Sequence, residues 1–104
     1  MTKKKTKTKV TKIKAKKHIP EEYPHFRYYM RSKHPALIVG EQSTDEYRFR
    51  KVTHSVSDGK RNNEKVYPNP NPQDKKPMYI GKRVRHDKKI NFGKKYPWVY
   101  KKNK

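Results

Sequence analysis

One stretch constrains the fold more than any other. It is His34 to Ser55, HPALIVGEQSTDEYRFRKVTHS, where Ala36-Leu37-Ile38-Val39 is the only uninterrupted apolar run of the chain. A polar turn, Gln42-Ser43-Thr44-Asp45, separates that run from an alternating aromatic and basic run. Two strands joined by a turn is the natural reading. Ala36 to Glu41 is expected as a central strand, apolar on both faces, with a bulge at Gly40. In the second strand Tyr47 and Phe49 point one way, and Arg48 and Arg50 the other. The alternation breaks at Lys51-Val52. If Val52 returns to the core, a β-bulge near Arg50-Lys51 is expected.

What surrounds this stretch limits both the size of the domain and its partners. The chain has 104 residues, with 30 Lys and Arg against nine acidic residues and a net charge of +21. Only 29% of residues are hydrophobic, but eight Tyr, three Phe and one Trp can each bury a large area. The expectation is one small β core of roughly 70–85 residues. So strong a positive field selects polyanions, and nucleic acid is the first of them. An acidic protein is a second class of partner. A membrane surface is not expected, since no amphipathic or long apolar anchor is evident. Without cysteine there are no disulfides or thiolate metal sites, which fits a reducing, cytoplasmic setting.

Residues 1–18 carry nine lysines and no acid. Like charges at this density repel, so a disordered arm is expected, with Lys3, Lys4 and Lys5 contacting phosphates without reading sequence. Residues 19–104 then form the single domain. Between residues 19 and 33 the pattern is ambiguous: Tyr23, Phe26 and Met30 share a helical face, while Phe26, Tyr28 and Met30 share a strand face. Either way the segment is expected to cap an end of a barrel. Residues 56–77 form a long connection in which Tyr67 to Pro72 should be extended polyproline. Met78 to Arg85 alternates again, with Met78, Ile80 and Val84 on one face and Tyr79, Arg83 and Arg85 on the other. His86-Asp87-Lys88 is expected to turn the chain. Ile90 and Phe92 then point inward, Gly93 breaks the strand, and Trp98-Val99-Tyr100 makes a last short one. Short strands with this punctuation indicate a mainly β fold, a small SH3-like or OB-like barrel.

Arg48, Arg50, Arg83 and Arg85, with Tyr79 beside the second pair, are the nucleic-acid candidates, because guanidinium groups bind phosphate bidentately and stack on bases. The other reading of these strands is an ordinary solvated face. Five histidines are present, but no pair has the tight spacing of a zinc motif, so no metal or cofactor is expected. Thr53-His54-Ser55 ends the second strand and His34 begins the first, and an antiparallel hairpin brings those ends together. A histidine, a hydroxyl and nearby arginines are ingredients for RNA cleavage. The alternative is that Thr53 and Ser55 cap a strand end and the histidines are surface residues.

HPALIV followed from Lys51 by KVTHS resembles the RPALVI … ITS core of MazF/PemK-like proteins, over residues 33–55. Those are SH3-like barrel endoribonuclease toxins and their non-toxin relatives, often carried by plasmids or phages as toxin–antitoxin pairs. The resemblance implies an RNA-cleaving site at the residue before Pro-Ala and at a Thr or Ser ending the next core strand. In this sequence those are His34, where the family has arginine, and Thr53, with Ser55 nearby. The expectation is therefore a cytoplasmic, RNA-binding β-barrel of mobile-element type. Two further readings stand beside it, an endoribonuclease and a basic inhibitor or accessory protein acting on a nucleoprotein complex. A homodimer is left open.

Overall fold

A computed structural model describes residues 21–101; the lysine arm, with Lys3, Lys4 and Lys5, lies outside the described residues. The expected hairpin is present and longer than its apolar run. β1 (His25–Tyr29) leads into β2 (His34–Ser43), which turns at Thr44-Asp45 into β3 (Glu46–Thr53). A small hairpin, β4 (Ser57–Asp58) and β5 (Arg61–Asn62), turns at Gly59, whose φ of 66° suits a residue without Cβ. Then come β6 (Glu64–Val66), β7 (Met78–Ile80), β8 (Arg85–Lys88), a 3-10 turn (Lys89–Asn91) and β9 (Phe92–Tyr96). The main sheet is antiparallel, in the order β6-β7-β3-β2-β1-β9, with β8 also paired to β3. The fold is mainly β, as expected. The sheet is open rather than closed, with β6 and β9 at its ends.

Both faces of this sheet are apolar. On one face Phe26, Leu37, Val52, Val66, Met78 and Ile80 form a core against which Val39, Tyr96, Trp98 and Tyr100 pack. On the other, Tyr29, Ala36, Ile38, Tyr47, Phe49 and Phe92 form a second core with Tyr23 against it. Phe92 is the hub of the second, with ring centroids 4.7 Å from Tyr29, 5.2 Å from Phe49 and 5.4 Å from Tyr47. Aromatic pairs at these separations contribute about 0.5–1.5 kcal/mol each beyond their burial.

Two buried faces change several sequence expectations. β3 needs no bulge to bury Val52. Its register with β2 runs unbroken from Ala36↔Lys51 to Ile38↔Phe49, so Phe49 and Val52 enter opposite cores. The register shifts in this hairpin lie in β2 instead, one between Ile38 and Gly40, where the bulge at Gly40 is expected, and one between Glu41 and Ser43. Within the ambiguous segment His25–Tyr29 is a strand, and it caps nothing: β1 lies inside the sheet between β2 and β9. Met78 to Arg85 is two strands, not one. β7 pairs with β3 at Val52↔Ile80 and β8 pairs with it at Phe49↔Arg85, so residues 81–84 face only Arg50 and Lys51. The excess chain leaves the ladder, and Val84 is exposed. His86, Asp87 and Lys88 belong to β8, and the turn comes later, at the 3-10 segment, which leaves Ile90 79% exposed at its tip. Gly93 lies inside β9. Trp98 to Tyr100 form no strand; they cross the first core as a cover.

Polar groups close the covers. The Tyr100 hydroxyl donates to Glu64 Oε2 at 2.6 Å, and Arg50 Nη2 donates to Glu64 Oε1 at 2.8 Å. On the other face Tyr47 and Arg27 donate to Glu21 at 2.6 and 2.8 Å. Burial alone would raise the Glu21 carboxyl, but those two hydrogen bonds hold it below its ordinary value. Tyr29 donates to Asp87, and burial with that bond pushes its hydroxyl up to about 12.

Because the two cores are separate, truncation in either should be costly. Phe26→Ala and Phe49→Ala are each expected to lose about 3–5 kcal/mol in denaturant unfolding. Ile90→Ser should change stability by no more than about 0.5 kcal/mol. A small loss at Phe26 would mean that the C-terminal cover does not seal its face.

Candidate functional site

Two of the concavities in the described structure meet at β3, near the end of the sheet where β2 begins. Consecutive residues at the end of β3 and just beyond it line them: Lys51 one, and Val52, Thr53 and His54 the other.

The first is a cleft of about 60 Å³ lined by Lys51, Asp58, Arg61, Asn63, Gly81, Lys82, Arg83 and Arg85. The break between β7 and β8 builds it. Gly81 is held from both sides, its N–H donating to the Lys51 carbonyl at 2.9 Å and its carbonyl accepting from Arg50 Nε at 2.6 Å. A Cβ on Gly81 would come within 3.2 Å of the Lys51 stem, so glycine allows that lysine to lie across the strand. Beyond this anchor the unpaired residues project Lys82 and Arg83, and β8 begins at Arg85. The single carboxylate is Asp58, carried in by the β4–β5 hairpin and 2.6 Å from Lys51 Nζ. The hydrogen bond from Lys51, reinforced by the charges of Lys51, Arg83 and Arg85, holds Asp58 below the usual carboxylate value.

The second concavity, about 190 Å³, is lined by His34, Pro35, Val52, Thr53, His54, Asn69, Asn71, Asp74, Met78 and Trp98. Its wall is residues 67–77, which bend rather than run as extended polyproline. Asn69 Oδ1 accepts from the Asn71 N–H at 2.8 Å, Asn71 Oδ1 from Gln73 at 3.1 Å, and Asp74 Oδ1 from Lys76 at 3.0 Å. Successive side chains thus replace ladder bonds with local turns. Asp74 Oδ2 lies 2.7 Å from His54 Nε2, tying the wall to the end of β3. The His54 contact and the Lys76 N–H keep the Asp74 carboxyl low. An ionised Asp74 can only accept, so Nε2 carries a proton and Nδ1 is the acceptor of a neutral His54.

The sequence-derived candidates divide between these places. His34 and Thr53 do meet in the larger cavity. Ser55 is not in its lining: its N–H donates to Thr53 Oγ1 at 3.1 Å and its carbonyl accepts from Asn63. Arg83 and Arg85 converge on the basic cleft. Tyr79, paired with Thr53, lies on the same face of the sheet as Lys51. Arg48 is on the opposite face, its guanidinium against Gly40. Arg50 does not point outward as expected. It stands opposite Leu37 in register, its side chain is 17% exposed, and its charge is spent on Glu64 and Gly81. It positions the cleft rather than lining it. Lys51, Arg61 and Lys82 were hidden in the general excess of cations. The Asn-Pro repeat gave the one sequence signal for the Asx-turned wall, and nothing local linked Asp74 to His54.

Among the described residues no helix is long and apolar enough to cross a membrane, and no group of three or more His, Asp or Glu could hold a metal ion. Searches against protein families, curated proteins and solved structures return no match to this chain.

If Asp74 anchors the wall, Asp74→Ala should release it while sparing the cores. Amide exchange at Lys76 is expected to accelerate by an order of magnitude or more, with little change in global melting. Unchanged exchange at Lys76 would show that the wall is held by other contacts.

Proposed function

We propose that this protein binds nucleic acid, single-stranded RNA in preference to duplex DNA. The observation that carries the reading is the basic cleft, where Lys51, Arg61, Lys82, Arg83 and Arg85 surround one carboxylate in a chain of net charge +21. Its specificity for polyanions is supported by where the acids are. All nine lie between Glu21 and Asp87, and seven of them are within ion-pair distance of a cation or histidine among the described residues. Little negative charge is therefore left to compete. The preference for unpaired RNA is supported by Tyr79 on the same face as Lys51 and by Trp98 in the adjoining cavity, flat rings on which splayed bases can stack. The bulged, open sheet fits an SH3-like barrel that has not closed, in a cytoplasmic protein of mobile-element type.

A second reading, the endoribonuclease, is favoured by His34, Thr53 and the His54–Asp74 pair lining one cavity. In that reaction Nδ1 of His54 takes the proton of a ribose 2′-OH and the oxygen attacks the adjacent phosphorus. A 2′,3′-cyclic phosphate forms as the 5′-oxygen leaves, protonated by a second group such as His34.

Binding of a fluorescent single-stranded RNA is expected to weaken steeply with salt, with a log–log slope of magnitude about 3 or more for five neutralised phosphates. Arg83→Ala with Arg85→Ala should reduce that magnitude by about 1–1.5, and Asp58→Asn should tighten binding a few-fold. A flat salt response would remove the nucleic-acid reading. For the second reading, wild-type protein should cut RNA to cyclic-phosphate ends, and His54→Ala should lose about 10²–10⁴ in rate. Binding without any cleavage sinks the enzyme and leaves the binder.

A further inference from the structure

We propose that the 190 Å³ cavity beside the basic cleft is a pocket for one unstacked nucleobase, and that its polar edge favours uracil. The inference rests on the nucleic-acid reading above and deepens it. Its size decides between occupants. Pockets for whole drug-sized ligands run from about 300 Å³ upward, so this one is scaled to a single ring system rather than to a complete nucleotide. Pro35, Val52, Met78 and Trp98 give it apolar walls. Trp98 is a rigid part of that wall. Its ring stacks on Tyr96 at 4.0 Å with an interplanar angle of 5° and is braced by Phe26 at 5.7 Å. A stacking surface already fixed in place loses little entropy when a base arrives.

The polar groups discriminate. Asn69 is held to the wall at both ends of its amide, since its Nδ2 donates to the Lys76 carbonyl at 2.9 Å and its Oδ1 accepts from Asn71. Asn71 uses Oδ1 for the Gln73 N–H, which leaves its NH₂ donors facing no partner among the described residues. Asn71 thus offers donors and His54 Nδ1 an acceptor, a set that matches a base edge of carbonyls beside one ring N–H. Uracil presents two carbonyls and adenine none. Lys51 and Val52 are consecutive in β3 and so leave it on opposite faces, and a strand that sets its phosphates on the cleft reaches the cavity around the end of β3.

Trp98 is the sole tryptophan, so its emission reports this cavity directly. The full-length protein is titrated with a short oligouridylate, an oligoadenylate and an abasic ribose-phosphate polymer of equal length and charge. The oligouridylate is expected to change Trp98 emission saturably and to bind roughly tenfold or more tighter than the abasic polymer, as one stacked base allows. The oligoadenylate should fall between them. Asn71→Ala, followed by anisotropy, should shrink the preference for uracil over adenine while leaving abasic binding unchanged. Equal emission changes and affinities for oligouridylate and abasic polymer, with steep salt dependence for both, overturn the base pocket and leave the nucleic-acid reading intact. No binding of any polymer overturns both.

Discussion

Tyr47 and Phe49 leave β3 on one side and Val52 leaves it on the other, and this double burial is the constraint from which the rest of the molecule follows. A strand with two apolar faces needs two covers, and a chain with only 29% hydrophobic residues has little to make them from. It makes them from aromatics. Phe92 returns on β9 to close one side, and Tyr96, Trp98 and Tyr100 lie across the other. Where a cover carries a hydroxyl, a carboxylate meets it, as Glu64 meets Tyr100 and Asp87 meets Tyr29. Those carboxylates are consumed in structure, so the positive charge at the surface goes largely unopposed.

The same strand sets the site. β3 is paired along one edge by β2 and along the other by two short strands that do not join smoothly, leaving residues 81–84 over Arg50 and Lys51. Arg50 turns inward and clamps Gly81, and the loop beyond carries its cations outward into the cleft. An irregularity in strand pairing, held by one half-buried guanidinium, is what concentrates charge in one place. Two residues after Lys51 β3 ends at Thr53, and Asp74 fastens the Asn-Pro wall to the next residue, His54, forming the cavity lined by Met78 and Val52.

Much of the fold is legible in the sequence because it is local. The apolar run at Ala36–Val39, the turn before Glu46 and the 47/49 alternation all report periodicity within one element. What is not legible depends on which face a residue finds. Arg50 reads as solvated because Arg48 is, yet its register with Leu37 puts it on a covered face beside Glu64, fourteen residues away. Ile90 reads as core from its neighbours, but a three-residue 3-10 turn rotates it outward. The site divides in the same way. His34 and Thr53 are found together because they close a hairpin. Asp74, Asn71 and Trp98 come from segments that meet only after folding, and no spacing in the sequence marks them.

The central claim is that the Lys51–His54 end of β3 joins a phosphate-binding cleft to a base-sized cavity. Amide and indole NMR shifts on adding a short oligouridylate test it most directly. The account predicts that perturbations gather on Lys51–His54, Gly81–Arg85, Asn71 and the Trp98 indole, and spare the Thr44-Asp45 turn at the opposite end of the hairpin. Perturbations confined to the lysine-rich first eighteen residues, with this end of the sheet unmoved, would contradict it.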